Sequence, residues 1–152
     1  GSFRYENVDT YSTRRFDNLM ALNVRGTFLC TRAVLNTMIA KKNGVIINIT
    51  SGAAQVFRFP GDTIYGMSKA AIERFTIGVG KEVKKYGISS IAINPGPVRT
   101  EGADLIYPKD FDWSGWASPE DMVPPIVWLA QQTAESFTMR VVNAHDYGSV
   151  WP

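Results

Sequence analysis

The chain of 152 residues carries 16 Lys plus Arg against 14 Asp plus Glu, a formal charge of +2, with 45% apolar and 20% charged residues. That length suits one domain with a core of its own, and the composition is globular rather than disordered. So small a net charge argues against a nucleic-acid or membrane-surface binder, and no apolar run nears the roughly 18 residues that span a bilayer. The first residues, Gly1-Ser2-Phe3-Arg4-Tyr5-Glu6, lack the apolar stretch of a signal peptide. One cysteine, Cys30, excludes internal disulfides and cysteine-clustered metal sites, so the expected compartment is the cytosol. One histidine, His145, argues against a histidine-rich metal site and a Ser-His-Asp triad, and is expected to be structural. No metal site is expected. Acid/base chemistry, if present, must rest on other residues.

Residues 1–11 have little periodicity and are expected to form a loop. Ser12 is a candidate N-cap for one long helix over 12–42, with apolar residues at three- and four-residue intervals from Phe16 to Met38. Gly26 interrupts that pattern, so a disturbance is expected near 23–26. Cys30 sits among Phe28, Leu29 and Val34 and is expected in the core. The helix should stop at Lys41-Lys42-Asn43-Gly44, two cations and then a glycine. Val45-Ile46-Ile47-Asn48-Ile49-Thr50 suits a strand buried on both faces. A loop follows over 51–62, then Asp62 or Thr63 caps a helix running to about 86 and closed by Gly87. A second buried strand is expected over 89–94, ended by Pro95-Gly96-Pro97. Residues 99–117 look irregular and hold Tyr107, Phe111, Trp113 and Trp116, which line a substrate pocket or form a satellite cluster. Ser118-Pro119-Glu120-Asp121 is a helix start leading to about 132, and 139–144 a third strand. Alternating helices and strands imply an α/β fold with a parallel sheet.

In open parallel sheets, ligands bind at the carboxyl ends of the strands. Ser51 follows the first strand, and after its loop come Tyr65 and Lys69, one turn apart on one helix face. An ammonium beside a phenol favours phenolate and lowers its pKa toward working pH, which would make Tyr65 a general acid/base. By spacing alone, a solvated helix face is the plainer account of the pair. The small residues Gly66, Ala70, Ala71, Gly78 and Gly80 mark either ordinary helix packing or an interface helix.

Four elements in order make the chain resemble the C-terminal portion of a short-chain dehydrogenase/reductase. They are Asn23 in Leu22-Asn23-Val24-Arg25-Gly26, Ser51 in Ile49-Thr50-Ser51-Gly52, Tyr65-x-x-x-Lys69, and Asn94-Pro95-Gly96-Pro97-Val98-x-Thr100. The resemblance implies the C-terminal part of a doubly wound Rossmann-type sheet, three strands with flanking helices, here as a single-domain fragment over 1–152. It implies NAD or NADP as cofactor and a small carbonyl or alcohol substrate. Tyr65 would exchange the proton with the substrate oxygen, and Ser51 would hydrogen-bond that oxygen. Lys69 would depress the Tyr65 pKa and bind the nicotinamide ribose. Asn23 would hold a water in a proton relay. Pro95 and Gly96 would turn beneath the nicotinamide, with the Val98 backbone and Thr100 side chain near its carboxamide. It further implies a homo-oligomer through helices 12–42 and 63–86.

The family's glycine-rich nucleotide fingerprint and its Asn-Asn-Ala-Gly element do not occur in this sequence. Gly1-Ser2 is either a tag remnant or the native continuation of that glycine. Strand 45–50 is expected to be interior, with a strand preceding residue 1 on its outer side. Phe137-Thr138-Met139 stands where the family has a Thr-Gly pair. A non-catalytic α/β assembly module, or a dehydratase or epimerase on the same fold, are the alternatives.

Overall fold

The computed structural model describes residues 5–152, so the expectation for Gly1-Ser2 lies outside the described residues. α1 (Thr13–Met20) begins where Ser12, in extended backbone, accepts a hydrogen bond from the Arg15 N–H. The disturbance expected near 23–26 is a π-helical turn, Ala21–Arg25, in which the Gly26 N–H reaches back to the Ala21 carbonyl. α2 (Gly26–Lys41) follows and stops differently from the expectation. Lys42 itself takes the left-handed conformation at φ 50°, and Gly44 opens β1 (Gly44–Ile49).

α3 (Thr63–Val83) runs on through a 3-10 turn, Lys84–Tyr86, into β2 (Ile88–Asn94). Asp62 stands at its N-cap position, but its carboxylate accepts from the Arg58 N–H at 3.0 Å and so fastens the loop rather than the helix. The stretch 99–117 contains one helical turn, α4 (Glu101–Asp104). Ser118 and Asp121 form a reciprocal capping box, as the sequence predicts. The first turn there is 3-10, and α5 (Val123–Ala130) ends short of 132. β3 (Arg140–Asn143) completes a three-stranded parallel sheet in the order β1-β2-β3. The α/β class is therefore as expected.

Helices cover both faces of the sheet. Ile91, Ile93, Leu129, Phe137 and Trp151 form one core cluster; Ile46, Val79, Val83 and Ile88 form the other. Alternation along β1 sends Val45 and Ile47 to the first and Ile46 to the second. β1 is paired with β2 on one side, and its expected second neighbour is not among the described residues.

One expectation about packing is overturned, and one pair of alternatives is decided for Gly66 and Gly80. Cys30 is exposed rather than in the core, because α2 buries little besides Thr31 and turns Phe28, Leu29 and Val34 outward. Gly66 and Gly80 are buried inside the chain, against Ala53 and against Met139 and Ser90, so neither serves an interface between copies. At the position where the family has glycine, Met139 adopts φ 55°, and its N–H reaches the Ser90 carbonyl at 2.8 Å.

Candidate active site

The carboxyl end of β1 delivers Ser51, whose hydroxyl accepts from the Ala53 N–H at 3.3 Å and caps a 3-10 turn, Gly52–Ala54. That turn rests on the first turn of α3. A Cβ on Gly66 would lie 2.5 Å from the Ala53 carbonyl oxygen, so only glycine permits the approach. Ser51 thereby faces the Tyr65 phenol, and hydrogen bonding from its side chain acts to lower the phenol's pKa.

Lys69, one turn on, donates from Nζ to the Ile49 carbonyl at 3.0 Å and lies 5.7 Å from the Tyr65 ring centroid. Burial lowers its pKa. The expected depression of the Tyr65 pKa by Lys69 is not what this structure shows. Burial raises the phenol above its ordinary value, opposed first by the Ser51 hydrogen bond and then by the Arg58 guanidinium. The physical reason is that desolvation of the phenolate outweighs the hydrogen bond and the cation that favour it.

Asn23 occupies the π-helical turn. Its Nδ2 donates to Ser68 Oγ at 2.9 Å, and Ser68, fully buried, donates to the Tyr65 carbonyl at 2.7 Å. Its own carbonyl accepts from the Thr27 hydroxyl at 2.7 Å. Asn23 is thus joined to the Tyr65 turn of α3.

At the end of β2, the Gly96 N–H donates to Asn94 Oδ1 at 3.0 Å, which makes a turn of Pro95 and Gly96. Gly96 has φ 72°, and a Cβ there would meet nothing within 4 Å, so the turn presents open backbone. Val98 forms a parallel bridge with Ala117 through the flanking Pro97 carbonyl and Arg99 N–H, which leaves its own N–H and carbonyl out of the bridge. The Thr100 hydroxyl accepts from the Ala103 N–H at 3.2 Å and caps α4. Tyr107, Phe111, Trp113 and Trp116 pack on one another with centroids 4.3 to 5.8 Å apart, a satellite cluster. The described residues hold no group of three or more His, Cys, Asp or Glu able to bind a metal, and no helix long and apolar enough to cross a membrane.

The sequence profile described as short chain dehydrogenase matches residues 1–110. The chain belongs to this family. Among relatives, it is 33% identical over 120 residues to a 3-oxoacyl-[acyl-carrier-protein] reductase of Synechocystis sp., covering 76% of this chain and 48% of that protein. It is 43% identical over 93 residues to a 2-(R)-hydroxypropyl-CoM dehydrogenase of Xanthobacter autotrophicus, covering 61% and 37%. A gluconate 5-dehydrogenase from Burkholderia cenocepacia, solved with NADP and tartrate, superposes with a TM-score of 0.82 at 26% identity, covering 94% of this chain and 59% of that one. The chain spans about half the length of the relatives it matches.

In this short chain dehydrogenase chain, three residues at the site escape sequence reasoning. Ser68 links Asn23 to Tyr65, Arg58 supplies a cation near the phenol, and Glu73 receives the loop that carries Ser51. Ser68 lies inside the Tyr-x-x-x-Lys spacing and had a local signal. The other two are brought in by tertiary folding.

Proposed function

We propose that this chain is the catalytic and substrate-binding portion of an NAD(P)-dependent oxidoreductase that interconverts a small carbonyl compound and its alcohol. The hydrogen bond between Tyr65 and Ser51, with Lys69 one turn further along α3, carries the reading. The described residues fit the nicotinamide end of a cofactor: open backbone at Gly96, an unbridged N–H and carbonyl at Val98, and the Lys69 ammonium beside the strand end. NADP in the Burkholderia relative supports such a cofactor, with NAD and NADP equally compatible. When bound, the nicotinamide supplies or accepts the hydride.

The chain's own residues handle the oxygen. Burial keeps Tyr65 protonated near neutrality, so its hydroxyl would give that proton to a carbonyl oxygen at Oη. Ser51, a neutral donor held by its turn, would hydrogen-bond the same oxygen throughout. Lys69 would bind the ribose hydroxyls, and its nearness would matter most once Tyr65 carries negative charge. Pro95 and Gly96 would turn beneath the nicotinamide with the Val98 backbone and Thr100 side chain near its carboxamide, and Asn23, tied to the Tyr65 turn through Ser68, would hold a water in a proton relay from Lys69. In the complete protein, Tyr65→Phe should lower kcat by about 10²–10⁴-fold with unchanged cofactor affinity. Wild-type-like turnover in that variant would sink the assignment.

A homo-oligomer belongs to the same proposal. A groove of ≈ 560 Å³ between the long helix pair and α3, lined by Met20, Val24, Phe28, Ala71 and Phe75, is almost wholly apolar. Phe28, which lines it, is itself an exposed apolar side chain, and a second copy would cover it. Phe28→Asp should reduce the mass seen by light scattering, and an unchanged mass would count against that interface. A cytosolic setting accords with the lone, exposed thiol of Cys30, and cell fractionation tests it.

A further inference from the structure

Glu73 stands on α3 one turn beyond Lys69, the spacing at which a lysine and a glutamate ordinarily pair. Among the described residues they do not. Lys69 donates to the Ile49 carbonyl, and the Glu73 carboxylate is given to two uncharged donors instead. Thr50, 2% exposed, donates from Oγ1 to Glu73 Oε1 at 2.8 Å. Gln55 donates from Nε2 to both carboxylate oxygens, at 3.4 and 3.3 Å.

The two donors flank Ser51. Thr50 precedes it directly, and Gln55 ends the 3-10 turn that Ser51 caps. One carboxylate on the catalytic helix therefore holds both ends of the segment carrying the candidate oxygen-binding hydroxyl. Committing a part-buried carboxylate to neutral donors forgoes an ion pair, and the charged acceptor makes each of those hydrogen bonds stronger.

We propose that Glu73 is a positioning residue, a clamp that holds the Ser51 segment against α3 so that the Ser51 hydroxyl meets the Tyr65 phenol. This rests on the role given to Ser51 and Tyr65 above. Small misplacements of reacting groups are costly, on the order of 10²-fold for about 1 Å.

The test reads the Tyr65 phenol directly, by NMR titration of the complete protein with isotope-labelled tyrosine side chains, the signal assigned by its loss in Tyr65→Phe. The Ser51 hydrogen bond lowers the Tyr65 pKa, so Ser51→Ala should move the titration upward. Glu73→Ala should move it upward as far, and the double variant no further, because one contact is lost either way. Glu73→Gln, which keeps an acceptor for Thr50, should titrate like wild type. With NADPH and a panel of 3-oxo esters, aldehydes and diketones, kcat should fall about 10-fold in Glu73→Ala, with little change in cofactor KM. A Glu73→Ala titration that stays at the wild-type position while Ser51→Ala moves would overturn the clamp alone. Additive shifts in the double variant would do the same. An unmoved titration in Ser51→Ala would remove the proposed function and the clamp with it. Should Glu73→Ala not fold, Gln55→Ala cuts one tether from an exposed residue. It should shift the phenol in the same direction by less, and no shift at all overturns the proposal.

Discussion

Ile49 and Ile93 are register partners on β1 and β2, yet Ile93 is 1% exposed and Ile49 46%. The two strands differ throughout in the same sense. β2 is buried from Ile88 to Ile93 although it carries Ser89 and Ser90, whereas the more apolar β1 is only partly covered. Place in the sheet decides this, not composition. β2 has a parallel neighbour on each side, and its serines are tolerated because each finds a carbonyl. Ser89 donates to Phe137 at 2.6 Å and Ser90 to Thr76 at 3.0 Å. β1 has one neighbour among the described residues, and its carboxyl end opens beside Lys69 and Ser51. An exposed apolar side chain stands at that end, while its buried twin holds the fold together.

The largest effect should come from the buried twin. Ile93 packs in the cluster with Leu129, Phe137 and Trp151, where a truncated side chain leaves a cavity the surroundings fill poorly. Ile93→Ala is expected to cost about 2–5 kcal/mol of unfolding free energy in a denaturant titration. A loss below about 1 kcal/mol would break the contrast between the strands, since it would mean β2 is no better packed than a surface position.

The order of elements was legible because local patterns carry it: a cap at Ser12, a break at Gly26, β-branched runs, and the Ser118 start. Burial was less so. Val45–Ile49 and 89–94 look equally internal in one dimension, and the difference between them arises from neighbours far along the chain. The Cys30 expectation failed for a related reason: an apolar run shows that a face is sticky, not what covers it. At the site, Ser51, Tyr65 and Lys69 were legible as a spacing that follows a strand. The sign of the Tyr65 shift was not, because it depends on how deeply folding buries the phenol, which no local spacing shows. Glu73 left no trace in the sequence either, since Thr50 and Gln55 reach it only once the strand end is laid against α3.

The smallest effect on stability should come from Ile49, and there the comparison is sharpest. Nearly half of this side chain is already in water, so Ile49→Ala removes little apolar area that folding had buried, and the cost should stay under about 1 kcal/mol. Ile49 and Ser51 are two residues apart in extended chain and so share a face, and the Ile49 carbonyl already anchors Lys69. If the exposed face meets the nicotinamide end of a cofactor, the same substitution should raise the cofactor KM several-fold, about what is expected for burying part of a branched side chain against a ligand. Stability and cofactor KM therefore respond in opposite order at the paired positions: Ile93→Ala weakens the fold and spares the site, and Ile49→Ala does the reverse. A cofactor KM unmoved by Ile49→Ala, measured on protein whose unfolding free energy is also unmoved, would show that the exposed isoleucine is ordinary surface and that the difference between the strands ends at packing.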